Sequence, residues 1–205
     1  MALGDPYATK DQLSAYLELQ SAAATSKQAL LEQAVLAASK EVENFCGRQF
    51  NKADTASARL YRPSSCRSTT VDDFWSTDGL IIRVAYASGT FGSEWLASDY
   101  RLYPLNGVVD GVPGRPYRRI HLNNLIWSFT NGELVEVTAK WGWATVPADV
   151  HQATLLLAAK HFHQRKSPVG DKAGFSESGG VVKVGASAQA CKLLKEYAIG
   201  KAMVA

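Results

Sequence analysis

The chain has few of the patterns that mark metal-bound, disulfide-linked or membrane proteins. Its three cysteines, Cys46, Cys66 and Cys191, lie far apart. Without a Cys-x-x-Cys pair or Cys/His spacing, a structural zinc site does not fit, and an odd count argues against a disulfide framework. No run approaches the roughly 18 apolar residues that span a bilayer. The opening MALGDPYATKDQL also lacks the basic-then-apolar pattern of a signal peptide. We expect a soluble, intracellular protein with reduced thiols and no membrane, metal or cofactor.

The candidate phosphate-binding and metal-binding motifs lack the residues or the spacing that such sites require. The segment 88–93, SGTFGS, lacks the Lys-Ser/Thr ending of a phosphate-binding loop. His161 and His163 point away from each other on a helix and cannot chelate one ion. Asp72 and Asp73 face opposite sides of a strand, which indicates two solvated carboxylates. The sequence therefore predicts no enzyme.

The remaining composition is that of an ordinary folded protein. Of 205 residues, 46% are hydrophobic and 20% are charged, with a net charge of +3. This size allows one domain with an insertion or two small domains. The charge is too small to indicate nucleic-acid binding by itself.

Helical patterns occupy the first part of the chain. Thr9 and Gln12 have capping-box spacing, which predicts a helix over Thr9–Gln20, and Thr25 and Gln28 repeat that spacing. The second helix carries an apolar stripe and ends at Gly47, a residue suited to a left-handed cap. The stripe consists of Leu31, Val35, Ala38, Val42 and Phe45.

Short strand patterns follow, separated by turn signals. Asp78-Gly79 and Asn131-Gly132 are two of the predicted turns. Alternation in Leu134–Trp141 predicts one buried and one solvated face. The predicted strands are Ala58–Arg62, Thr69–Val71, Leu80–Tyr86, Asp99–Tyr103, Ile120–Leu122 and Leu134–Trp141. The fold class is α+β, a bundle of three to four helices (1–54 and 142–205) interrupted by an antiparallel β-rich insertion (55–141).

The helix predicted over Val150–Arg165 is apolar on nearly all sides. Such a helix must be covered on several faces, and so short a chain offers little to cover it with. A second copy of the chain would supply the cover. The candidate subunit-interface residues are Val150, Leu155, Leu156, Leu157 and Phe162.

Two clusters keep alternative interpretations. Arg165, Lys166 and Lys172, near Lys160, either neutralise a helix C-terminus or contact a phosphate backbone. The five tryptophans either fill the β-core or form a binding platform, with Trp141 and Trp143 as interface anchors.

Two segments resemble head–tail connector proteins of tailed bacteriophages. They are 37–50, AASKEVENFCGRQF, and 141–150, WGWATVPADV, which precedes a leucine-rich helix. The likeness is to adaptors beneath the portal, where a helix ends in a Gly-Arg step and Gly-x-x-x-Val-Pro leads into another helix. Gly142, Val146 and Pro147 match that step.

The resemblance implies a structural virion protein of the neck, made in the host bacterial cytoplasm. It implies a ring of twelve copies around the DNA channel, joining the capsid to the tail, with a portal partner and a stopper or tail-completion partner. Passing double-stranded DNA would meet Arg165, Lys166 and Lys172. Portal-docking candidates on the last helix, Ser187–Ile199, are Lys192, Leu193, Leu194, Lys195 and Tyr197. Alternatives are a stopper or tail-completion protein, or a β-module that binds single-stranded nucleic acid.

Overall fold

The fold consists of two compact units, one of strands and one of helices. The computed structural model describes residues 4–86, 89–109, 112–123, 133–164, 174–175, 181–182 and 186–199. The β unit is Gln49–Thr145, and the helical unit is Gly4–Arg48 with the chain from Val146 onward. The fold class is therefore α+β, as predicted.

The helical unit contains five described α-helices. Its last helix continues into a 3₁₀ turn, Lys195–Tyr197. The helices are α1 (Lys10–Tyr16), α2 (Ser21–Ser26), α3 (Gln28–Cys46), α4 (Ala148–Gln164) and α5 (Ala186–Leu194).

The predicted helix ends are right at two positions and wrong at two others. The first helix ends at Tyr16 and not at the predicted Gln20. Thr9 and Gln12 form the predicted capping box, with the Gln12 backbone N–H donating to Thr9 Oγ1 at 3.1 Å. Gly47 ends α3 in the left-handed region, at φ 66°. The Thr25–Gln28 box does not form. The Thr25 hydroxyl instead donates to the Ser21 carbonyl inside α2, at 2.9 Å, because this segment makes a helix of its own.

The apolar stripe of α3 is buried except at its end. Leu31, Val35, Ala38 and Val42 are buried, whereas Phe45 is 42% exposed. Cys46, four residues after Val42, occupies the buried position instead. In the last helical turn the buried position is therefore Cys46 and not the predicted Phe45. Both spacings, i to i+3 and i to i+4, keep residues on one helix face, so the sequence pattern allowed either.

The β unit is built on one antiparallel sheet of five strands, in the order β1-β7-β2-β6-β3. A two-stranded hairpin, β4 with β5, lies in the same unit, and β8 pairs with β9 in the chain after α4. The strands are β1 (Ser57–Tyr61), β2 (Ser68–Ala85), β3 (Tyr100–Tyr103), β4 (Val108–Val109), β5 (Val112–Pro113), β6 (Tyr117–Leu122), β7 (Leu134–Trp141), β8 (Gly174–Phe175) and β9 (Val181–Val182).

Strand β2 corrects the prediction of two strands separated by a turn. It runs over 18 residues, and Asp78-Gly79 lies inside it. Gly79 has φ 73°, and the pairing with β7 shifts register between Ser76 and Ile81. The pair that suits a hairpin therefore makes a bulge, because β7 pairs with β2 on both sides of it. The predicted turn at 131–132 lies outside the described residues.

The core of the β unit lies against one face of β7. Val135, Val137, Ala139 and Trp141 are buried, as their alternation predicts. Glu136, predicted to be solvated, is only 7% exposed. Its Oε1 accepts a hydrogen bond from Arg83 Nε at 2.8 Å, so the buried carboxylate is paired rather than hydrated. Other core residues are Val71, Phe74, Ile82, Val84, Trp95, Ile120 and Leu122.

Candidate assembly surfaces

The chain covers helix α4 itself. α4 packs against α1, α3 and α5. The expectation that the chain has too little structure to cover this helix is therefore wrong, because three helices distant in sequence converge on it. Of the subunit-interface candidates, Leu156 is half-buried and the other four are buried: Val150, Leu155, Leu157 and Phe162. Their contact with a second subunit stays a prediction, but their apolar character no longer requires one.

The two histidines of α4 have separate surroundings. His161 Nε2 lies 2.8 Å from Glu41 Oε2 on α3, which ties the two helices together. His163 is exposed and has an edge contact with Phe162. Within the described ranges, no group of three His, Cys, Asp or Glu side chains is placed to hold a metal ion.

Helix α5 uses much of its apolar face inside the helical unit. Leu194 and Tyr197 are buried, and the Tyr197 hydroxyl donates to Asp149 Oδ2 at 3.3 Å. Lys192 and Lys195 are exposed, and Leu193 is half-buried. Of the portal-docking candidates, these three are the accessible ones. The DNA-channel candidates Arg165, Lys166 and Lys172 lie outside the described residues.

The four tryptophans that the structure describes do not form an open platform. Trp95, Trp141 and Trp143 are buried and Trp75 is half-buried, while Trp127 lies outside the described residues. Trp141 packs edge-on against Phe74, with ring centroids 6.1 Å apart. The core interpretation is therefore right for the three buried rings, which leaves them unable to stack on bases.

The Trp-Gly-Trp step is held by a close backbone contact at Gly142. A Cβ atom there would lie 1.7 Å from the Asn51 carbonyl oxygen, and Gly142 has φ 95°. Asp73, predicted to be solvated, is buried beside this contact. Its Oδ2 accepts from Trp143 Nε1 at 2.9 Å, and its carbonyl accepts from the Gly142 N–H at 2.6 Å. Asp73 thus has a structural role in joining β2 to the end of β7.

Ion pairs occupy one part of the β unit's surface. Asp72 accepts from Arg59 Nη1 at 2.6 Å and from the Tyr61 hydroxyl at 2.9 Å. Burial raises the pKa of Tyr61, and the Asp72 charge raises it further. Lys140 bonds Asp78 and lowers the pKa of that carboxyl. The charges of these groups are therefore compensated within the unit.

A second part of the same sheet carries arginines in another setting. Strand β3 places Arg101 opposite His121 of β6, and Tyr103 opposite Arg119. On the other side of β6, β2 places Ser68 opposite His121 and Thr70 opposite Arg119. We call this surface the arginine face; it consists of Ser68, Thr70, Arg101, Tyr103, Arg119 and His121. The sequence analysis missed it, although polar residues alternate with apolar ones in both Arg101–Tyr103 and Arg119–His121.

The comparisons with known proteins identify a shared fold. No protein-family model matches the sequence, and no curated protein matches it. A chain of the "Neck of empty GTA particle computed with C6 symmetry" superposes with a TM-score of 0.57 and 18% identity, over 96% of this chain and 91% of that one. A chain of the "Virion of native gene transfer agent (GTA) particle" gives a TM-score of 0.47 and 21% identity, over 86% and 80%. Of the two, the first shows that this chain has the fold of a neck component.

No membrane-spanning helix is found in the part of the chain that the structure describes, since none of its helices is both long and apolar enough to cross a bilayer.

Proposed function

We propose that the protein is a structural component of the neck of a tailed-phage-like particle. In this role it is a head–tail adaptor that forms a ring beneath the portal and joins the capsid to the tail around the DNA channel. The observation that carries the proposal is the likeness to a neck chain over 96% of this chain, which includes both the helical and the β unit. The role involves no catalytic step and no cofactor.

The residues of the sequence resemblance are also ones on which this fold depends. Gly47 ends α3 in the left-handed region, and Gly142 lies where no side chain fits. Pro147 directly precedes α4, where a missing N–H costs nothing. The residues that carry the sequence resemblance therefore lie where the backbone of this chain requires them.

The ring is proposed to contain twelve copies. The related neck was computed with sixfold symmetry. A ring of twelve identical subunits obeys a sixfold axis as well as a ring of six does, so both numbers fit that neighbour. Class averages of isolated rings in the electron microscope separate them by counting the subunits.

We place portal binding on the accessible part of α5, Lys192, Leu193 and Lys195, with Leu194 and Tyr197 holding the helix in position. Passing DNA is proposed to meet Arg165, Lys166 and Lys172. Reversing both exposed charges, Lys192→Glu with Lys195→Glu, should weaken portal binding. The matched pair Lys10→Glu with Lys27→Glu makes the same net change elsewhere on the helical unit, and breaks one surface ion pair, that of Lys10 with Glu32.

The test of the function is ordered assembly from purified proteins. The chain is mixed with portal in the absence and in the presence of the stopper protein, and the products are examined by electron microscopy. An adaptor adds a ring to the portal without the stopper. A stopper or tail-completion protein, the alternative role in the neck, joins only after another protein has bound. A chain that joins neither complex and is absent from mature particles contradicts both roles.

A further inference from the structure

The arginine face has the geometry of an open, polar sheet surface. Arg101, Arg119 and Thr70 are exposed, and Ser68, Tyr103 and His121 are half-buried. The ring of Tyr103 meets that of His121 edge-on, with centroids 6.4 Å apart. Side chains directly opposite on neighbouring strands lie about 5 Å apart, and diagonal neighbours such as Arg101 and Arg119 about 7–8 Å. Two guanidinium groups and three hydroxyl groups therefore converge on one surface.

The charges on this face lack the compensation found elsewhere in the unit. Arg59 pairs with Asp72, Arg83 with Glu136, and Lys140 with Asp78. Among the described residues, no carboxylate lies within ion-pair distance of Arg101 or Arg119.

Two acidic residues in or beside the strands of this face, Asp99 and Asp72, have hydrogen-bond partners of their own. Asp99, two residues before Arg101, accepts from the Leu96 N–H at 2.9 Å and closes its own turn. Asp72, two residues beyond Thr70, is held by Arg59 and Tyr61. The bond from the Leu96 N–H does not cancel the charge of Asp99, whereas Asp72 is paired with Arg59. Arg101 and Arg119 therefore still outnumber the acidic charge of Asp99, and the face presents net positive charge together with hydrogen-bond donors.

We infer that the arginine face binds the phosphate backbone of double-stranded DNA. Arginine presents a planar fork of donors that fits phosphate oxygens in pairs, and the hydroxyls of Ser68, Thr70 and Tyr103 add single donors. Such contacts depend on the phosphate charge and not on the base sequence, which suits DNA that moves past the protein. The inference depends on the proposed function in one respect, which is that the bound DNA is the genome passing through the neck.

The composition of the face favours DNA over an acidic protein partner. A protein interface has a desolvated core of apolar and aromatic anchors. The apolar residues of these strands, Leu102, Ile120 and Leu122, belong to the core on the opposite side of the sheet. Tyr103, held against His121, is the one large ring on the arginine face.

The experiment compares two charge-matched double variants of the full chain. Arg101→Gln with Arg119→Gln removes two charges from the arginine face, and Lys10→Gln with Lys27→Gln removes two from the helical unit, at lysines with no proposed role in binding. Binding to a fluorescein-labelled 24-base-pair duplex is followed by anisotropy over a range of salt concentrations. Losing two phosphate contacts should lower the salt slope by about 1.8 and the affinity by roughly 60-fold near 0.1 M salt. The lysine variant should bind within about twofold of the unaltered chain.

Three results overturn the inference. They are an equal loss of DNA affinity in both variants, unaltered DNA binding by the arginine variant, and no DNA binding by the unaltered chain at low salt. If the arginine variant keeps its DNA affinity but no longer joins the portal or stopper, the face binds an acidic protein instead. Portal assembly is scored separately. If the chain adds a ring to the portal but the arginine variant binds DNA normally, the proposed function is supported and this inference is wrong. If the arginine variant loses DNA affinity but no ring forms on the portal, only this inference is supported.

Discussion

Gly142→Ala should destabilise the β unit more than any other glycine-to-alanine change in the described ranges. The new Cβ would lie 1.7 Å from the Asn51 carbonyl oxygen and 3.2 Å from the Lys52 Cα. These are backbone atoms, so no side chain can rotate to make room. The residue must also keep φ 95°, where an L-residue is strained.

The magnitude follows from two costs. A left-handed conformation costs an L-residue about 1–2 kcal/mol. Relieving the clash moves the Asn51 segment, which breaks the bond from the Trp143 N–H to the Asn51 carbonyl (3.3 Å) and the bond from the Ala53 N–H to the Trp141 carbonyl (2.7 Å). Each is worth about 1 kcal/mol. The total is about 3–4 kcal/mol, which lowers the unfolding midpoint by roughly 10 °C for a chain of this size.

Tryptophan fluorescence is the suitable assay, because all five tryptophans lie between positions 75 and 143, inside the β unit. Gly79→Ala is the matched control. Gly79 has φ 73°, but an added Cβ meets only the Ala56 Cβ, at 3.8 Å. The control therefore carries the conformational cost alone and should lower the midpoint by roughly 3–6 °C. If the two variants unfold within about 2 °C of each other, the close contact at Gly142 is not what stabilises the Trp141-Gly142-Trp143 segment.

Two further predictions concern the helical unit. Leu156→Asp should lower the free energy of unfolding of the helical unit by several kcal/mol, because the half-buried site would hold an unpaired charge. Urea unfolding followed by circular dichroism at 222 nm measures this loss. Gln152→Asp, exposed one turn earlier, should change the free energy of unfolding by less than about 0.5 kcal/mol, and similar losses in the two variants would contradict the packing of α4. Burial raises the pKa of the Cys46 thiol to about 11, so maleimide at pH 7.5 should label two thiols per folded chain, seen by intact mass, and a third only after unfolding. The labelled thiols should be the exposed Cys66 and Cys191; a third rapid label in the folded chain would show that Cys46 is accessible.

Local signals predict local structure well in this chain. Leu134–Trp141 is a strand over the predicted residues, because apolar and polar residues alternate from Val135 to Trp141. The Thr9–Gln12 box and the Gly47 cap are also right, since each depends on bonds within a few residues. Thr25 had two local options, a cap for α3 or a bond inside α2, and short-range patterns could not rank them.

Long-range pairing explains what the sequence could not show. Asp78-Gly79 is a good hairpin turn by itself, and it becomes a bulge only because β7 pairs with β2 across it. The arginine face likewise depends on β3 lying beside β6, which brings together residues from separate segments. Sequence alternation marks which side of each strand is polar, but the order of strands decides which polar sides become neighbours.

Because α4 is packed against helices of its own chain, a variant in α4 that fails to assemble does not by itself show a contact between subunits. A stable contact between subunits buries about 800 Å² on each partner. Most of the apolar side chains of α4 are already buried, so the proposed ring would need other exposed groups for its subunit contact. Leu36 on α3 and Leu60 on β1 are examples, at 48% and 56% exposed. A charge at Leu156 therefore acts first on folding. Failure of that variant to form rings argues for a subunit contact at α4 only if its unfolding midpoint is unchanged.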